Sequence, residues 1–144
     1  RYMNYESLAD GGFATGTMMG SGGFIVLDED QCIVKNTYTL ARFYRHESCG
    51  QCSPCREGTG WMEKILKNID TGKGKMSDIE LLWDIQRKIE GNTICPLGDA
   101  AAWPVAAAIR HFRDEFEWHV NHPEEAQKRN YGLAHYADPI HVPA

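Results

Sequence analysis

Cys49, Cys52 and Cys55 follow one another at three-residue spacing in Ser48-Cys-Gly-Gln-Cys-Ser-Pro-Cys-Arg-Glu-Gly58, and Cys95 stands 39 residues further on in Thr93-Ile-Cys-Pro-Leu-Gly98. These are four of the five cysteines in the chain. Steps of three residues drift around a helix axis, so the three local thiols cannot share one helix face. They converge only if the backbone wraps a compact object, and Gly50 lets the loop turn tightly enough to do so. The fold must therefore bring one remote turn back onto one tight loop. Four thiolates so gathered are the donor set of a cubane [4Fe–4S] cluster, and the chemistry suggested is one-electron transfer. The fifth cysteine, Cys32 in an apolar setting, is expected to be a small buried residue and no ligand.

The electrostatics of the loop agree. Ser53-Pro54 reads as an N-cap followed by a first-turn proline, so a helix should open at Cys55 or just before it. Its amides and the Arg56 guanidinium would then face a site that carries negative charge. Other uses of the cysteines fit less well. A disulfide set is disfavoured by the odd count and by a chain that is not a small cysteine-dense scaffold with a secretory signal. Structural zinc is the serious competitor, but zinc ribbons present two separated C-x2-C knuckles, whereas here three cysteines face one. A redox C-x-x-C leaves Cys95 unexplained.

Length and composition set the frame. With 144 residues, 42% hydrophobic and 24% charged, the chain can build one ordinary domain, or one small domain with part of another. A net charge of −5 argues against a nucleic-acid partner, and no stretch reads as a membrane span or signal peptide. The chain opens on Arg1 in mid-pattern, as a fragment would. Residues 1–32 are glycine-heavy, with Phe24 to Leu27 expected as a short buried strand. Gly16 to Gly23 lacks the lysine and hydroxyl of a P-loop, and it precedes the strand that a dinucleotide loop would follow, so it reads as turn chemistry.

From about residue 33 the period becomes helical. A first helix carries Leu40, Phe43 and Tyr44 on one face. A second carries Trp61, Met62, Ile65, Leu66 and Ile69 and is stopped by Asp70-Thr-Gly-Lys-Gly74. Ser77 and Glu80 form a capping box for a third, with Leu82, Ile85 and Ile89 inward and Gly91 past its end. The fourth opens near Asp99 or Pro104 and runs through Val105, Ile109, Phe112 and Phe116 to about Val120. Four such helices with short links make a small bundle. Residues 121–144, with Pro123, Pro139 and Pro143, are expected to be an extended tail. The histidines at 46, 111, 119, 122, 135 and 141 show no ligand spacing; His46 lies near enough to the cysteine loop to hydrogen-bond there. No catalytic constellation is visible, and no catalytic residue is assigned.

The segments Glu47 to Gly58, Ile89-Glu-Gly-Asn-Thr-Ile-Cys-Pro-Leu-Gly-Asp99 and Ala102-Trp-Pro-Val105 together resemble the flavin-bearing, NADH-oxidising subunit of respiratory complex I. The resemblance implies a mainly α fold: a four-helix bundle at 33–120 that binds an iron–sulfur cluster. It is preceded at 1–32 by the end of a small ubiquitin-like (β-grasp) α+β domain, carried by Gly20 to Val26. It implies that the residues matching Cys49, Cys52, Cys55 and Cys95 hold a [4Fe–4S] cluster. That cluster would take electrons one at a time from FMN reduced by NADH and pass them towards quinone. The FMN and NADH sites belong to an N-terminal α/β domain that this chain does not contain, so the piece alone should show no NADH activity. The implied partners are other peripheral-arm subunits, including neighbouring iron–sulfur subunits, on the cytoplasmic side of the inner membrane or the mitochondrial matrix side. Diaphorase subunits of NAD-linked hydrogenases and formate dehydrogenases share the cysteine pattern and form the alternative. An alternative of another class is a zinc-stapled helical interaction module, which would be colourless where a cubane cluster is brown.

Overall fold

The computed structural model describes Gly23, residues 25–28 and residues 31–129. It is helical, in the order α1 (Ile33–Glu47), α2 (Ser53–Asp70), α3 (Met76–Ile89), α4 (Leu97–Asn121) and α5 (Pro123–Arg129). Helix α1 packs on α2, α2 on α3, α3 on α4, and α4 returns to α1, closing a four-helix ring. Because each helix reverses the direction of the one before, the α1–α2 and α3–α4 connections lie at one end of the bundle. The start of α1, the α2–α3 turn and the end of α4 lie at the other. Topology alone thus brings the three-cysteine loop and the Cys95 loop together.

The stripes expected from sequence form most of the core. Met62, Leu66 and Ile69 of α2, Leu82, Ile85 and Ile89 of α3, and Val105, Ile109 and Phe116 of α4 are buried. Ile79, Ala101, Ala102 and Ala108 join them. Helix α1 differs: its buried face is Val34, Thr37 and Ala41, while Phe43 is exposed and Tyr44 is only partly covered. Small residues on that seam let α1 approach its neighbours closely, and the rings move to the flank. Trp61 is 52% exposed and stands at the edge of the α2 stripe. Phe112 is exposed because it sits at a kink in α4, where φ −133° and ψ 31° break the helical repeat that would have turned it inward.

Several boundaries move. Helix α2 opens at Ser53 with Cys52 as its cap residue and Pro54 in its first turn, so Ser53 lies inside the helix. Helix α3 opens at Met76, and the box is closed by Asp78, whose Oδ2 accepts the Lys75 amide at 2.9 Å; Ser77 and Glu80 are already helical. Helix α4 opens at Leu97 and accommodates Pro104 within it. Residues 25–28 form no strand: Ile25 and Val26 are 70% and 92% exposed, and among the described residues there is no strand to pair with them. Phe24 and nearly all of the proposed β-grasp segment 1–32 lie outside the described residues. The segment after residue 121 is not extended throughout, since Pro123 opens the short helix α5. Residues 130–144 lie outside the described residues.

Candidate iron–sulfur site

The loop from Ser48 to Cys52 leaves α1 and enters α2. Gly50 adopts φ 79°, the left-handed conformation that glycine reaches without strain, and this turns the chain between Cys49 and Cys52. Ser48 Oγ lies 3.2 Å from Cys55 Sγ and also accepts the Gly50 amide at 3.3 Å, tying the loop to the first turn of α2. Across the gap, the Ile94 amide donates to Cys52 Sγ at 3.4 Å, so the remote turn touches the local loop one residue before Cys95. The four thiols expected to act together are therefore brought to one end of the bundle. Cys55 is buried, Cys52 half-buried, and Cys49 and Cys95 are exposed.

Two close approaches hold the turns in register. A Cβ on Gly58 would fall 2.6 Å from Ile89 Cδ1, so the first turns of α2 can press against the end of α3 only with glycine there. A Cβ on Gly98 would meet Thr93 Oγ1 at 2.3 Å. The Thr93 hydroxyl in turn donates to the Cys95 carbonyl at 3.0 Å, and the Asp99 carboxylate accepts the Gly91 amide at 2.7 Å. The Cys95 turn is fixed on both sides.

The surroundings favour an anion. Helix α2 begins without a side-chain cap and without an acid in its first turn, so its leading amides and dipole point at the cysteine loop uncompensated. Helix α4 opens at Leu97, also without a side-chain cap, but with Asp99 in its first turn. Arg56 donates from Nη1 to the Gly50 carbonyl at 2.9 Å and from Nε to Glu57 Oε1 at 2.9 Å, clasping the loop. His46 instead pairs with Glu47 at 2.9 Å.

A model of the NADH-ubiquinone oxidoreductase-F iron-sulfur binding region matches residues 35–119, which include all four of these cysteines. The chain belongs to this family. The F-type subunit of the NADH-quinone oxidoreductase of Rickettsia typhi is 46% identical over 132 residues, covering 92% of this chain and 28% of the relative. The corresponding NADH-quinone oxidoreductase subunit of Rhizobium meliloti is 44% identical over 119 residues, 83% of this chain and 26% of the relative. An NAD+-reducing [NiFe]-hydrogenase in its H2-reduced state superposes with a TM-score of 0.63 at 35% identity, over 66% of this chain and 16% of that one. The chain spans about a quarter of the length of the curated relatives it matches. The relatives support the mainly α cluster-binding bundle and the [4Fe–4S] cofactor of this region.

Cys32, expected as a mere core filler, does more. It is buried, as expected, but its sulfur caps α1 by accepting the Lys35 amide at 3.3 Å and lies 3.2 Å from His119 Nε2. Burial pushes its thiol up to about 11. No spacing rule links residues 32 and 119, so only the fold could reveal the contact.

Proposed function

We propose that this chain is the electron-relay part of an NADH-oxidising subunit, with Cys49, Cys52, Cys55 and Cys95 as the four ligands of one [4Fe–4S] cluster. The observation that carries the reading is the Ile94 amide on Cys52 Sγ at 3.4 Å, which joins the two cysteine turns. When bound, the cluster supplies single-electron chemistry between a two-electron flavin donor and the next carrier. The chain's own residues shape the site. Cys55 is sunk into the bundle while Cys49 and Cys95 face outward, so one side is insulated and the other is open to a partner. Arg56 and the opening of α2 offset the negative charge.

In this reading FMN and NADH bind elsewhere in the parent protein, residues 1–32 close a ubiquitin-like domain, and 33–120 form the relay bundle. The partners are other subunits of the peripheral arm of complex I, including those carrying further clusters. Attachment to the membrane is through them, since no helix among the described residues is long and apolar enough to cross it. The similarity to the NAD+-reducing hydrogenase supports the second reading, the same module in a diaphorase subunit. The curated relatives at 44–50% identity favour the first.

Iron and sulfide analysis of anaerobically prepared protein, with electron paramagnetic resonance after dithionite reduction, tests the assignment. Four irons per chain are expected. Cys95→Ala should lose the cluster, and Cys32→Ala should keep it. An equal fall in iron in both variants removes the assignment.

A further inference from the structure

At the end of the bundle away from the cysteine loops, Cys32, Glu115 and His119 bring their donor atoms within 4.8 Å of one another. Helix α1 separates this trio from the iron–sulfur loop by about 22 Å, from its 15 residues and the helical rise. Glu115 and His119 stand four residues apart on one face of α4, and Cys32 sits at the cap of α1 opposite them. His119 and Cys32 are 0% and 6% exposed. One Glu115 oxygen accepts the Ile33 amide at 3.0 Å, which fixes the carboxylate beside the sulfur and leaves it lone pairs to offer.

The donors suit one kind of ion. Bonds of about 2.3 Å to thiolate and about 2.0 Å to imidazole or carboxylate place tetrahedral donors roughly 3.3–3.5 Å apart. The 3.2 Å between Cys32 Sγ and His119 Nε2 is already close to that. A thiolate turns away magnesium and calcium, and a carboxylate in place of a second sulfur turns away monovalent copper. Charge also selects a dication: thiolate, carboxylate and neutral imidazole carry two negative charges, which a divalent ion cancels within the bundle.

We propose that Cys32, Glu115 and His119 hold a single zinc-class divalent ion, a second metal centre separate from the four-cysteine site. Binding breaks the Cys32 S–H bond, forms a metal–sulfur bond and releases one proton to solvent, with no change in oxidation state. Glu115 and His119 donate lone pairs, and water completes the tetrahedron. The ion fastens the cap of α1 to the end of α4, closing the bundle at the end that the iron–sulfur loops do not reach.

The experiment uses the full chain with its iron–sulfur site loaded, passed anaerobically through metal-free buffer to remove loosely held metal and then titrated with zinc chloride. One zinc per chain is expected beside an unchanged iron content. The zinc X-ray absorption spectrum should show one sulfur at about 2.3 Å and otherwise nitrogen or oxygen. Cys32→Ser and Glu115→Gln should each weaken zinc binding at least tenfold while iron stays constant. Glu115 is only half-buried, so its variant serves even if Cys32→Ser fails to fold. The proposal is overturned by no zinc uptake at micromolar free metal, by a four-sulfur zinc shell, or by unchanged affinity in a folded variant.

Discussion

Arg56 is gripped from two sides, by the Gly50 carbonyl on the loop and the Glu57 carboxylate on its own helix, and the two contacts imply different consequences of removing it. The pair with Glu57 is exposed and worth at most about 1 kcal/mol. The positive charge beside the cysteines matters in another way, because reduction adds an electron to a site that is already negative. Charge and hydrogen bonds near the sulfurs are levers on such potentials. Arg56→Gln is expected to retain the cluster and lower its midpoint potential by some tens of millivolts; about 30 mV is roughly 0.7 kcal/mol for a one-electron couple. A redox titration followed by electron paramagnetic resonance reads this directly. An unshifted midpoint with reduced thermal stability would make Arg56 a clasp for the loop and nothing more. Gly98 has a purely steric task, since any side chain there displaces Thr93 from the Cys95 turn. Gly98→Ala should cost about 1–3 kcal/mol in denaturant titrations and reduce the iron retained on purification.

Between α2 and α3 the approach is close at Gly58, where a Cβ would fall 2.6 Å from Ile89 Cδ1. Ile89 is buried but lines an open groove with Trp61 and Ile85 into which it can shift, so Gly58→Ala should destabilise the bundle by about 1 kcal/mol, the low end for overpacking, measured by urea unfolding. Asp78→Ala removes the acceptor of the Lys75 amide at the opening of α3 and should cost about 1 kcal/mol by the same measurement. These helices were largely legible from periodicity, because Met62, Leu66 and Ile69, or Leu82, Ile85 and Ile89, repeat at the helical period. The openings were less so. Ser53 looked like a cap and Ser77 like a box, but the chain enters each helix a residue or two earlier, where Cys52 and Lys75 take the cap positions. Capping preferences are worth only about 1 kcal/mol, and loop geometry overrides them. The inward face of α1 departs from the periodic pattern for a related reason: the pattern rewards large apolar residues, whereas the seam there is made of Val34, Thr37 and Ala41.

For the whole molecule, the cysteine spacing asks for residues 49–55 and 95 at one end, and the alternating helix directions carry the Cys95 turn there, where the Ile94 amide reaches Cys52 Sγ. The trio of Cys32, Glu115 and His119 is not legible in the sequence, because Cys32 is separated from the other two by more than 80 residues, and one acid–histidine pair four residues apart on a helix is too common to single out. On the proposed ligand assignment, removal of iron by chelation should lower the urea midpoint and loosen the whole bundle, since ligands drawn from two turns would make metal binding part of the folding energy. Far-ultraviolet circular dichroism before and after chelation would show it, and an unchanged midpoint would mean that helix packing alone sustains the fold. The chain alone, supplied with FMN, is expected to leave NADH unoxidised. A steady fall in NADH absorbance would show that a hydride site had been overlooked.

The division of the four cysteines into three and one also imposes an order in time. The local trio can gather as soon as Gly50 turns the chain, but the fourth thiol is delivered only when α2 and α3 have folded back on each other. Closing that stretch costs the unfolded chain about 4 kcal/mol in entropy if it behaves as a cross-linked loop of some 40 residues. Nascent chains would therefore pass through a stage at which three sulfurs are ready and one is not. The α2–α3 hairpin is the latch whose closing would end that stage.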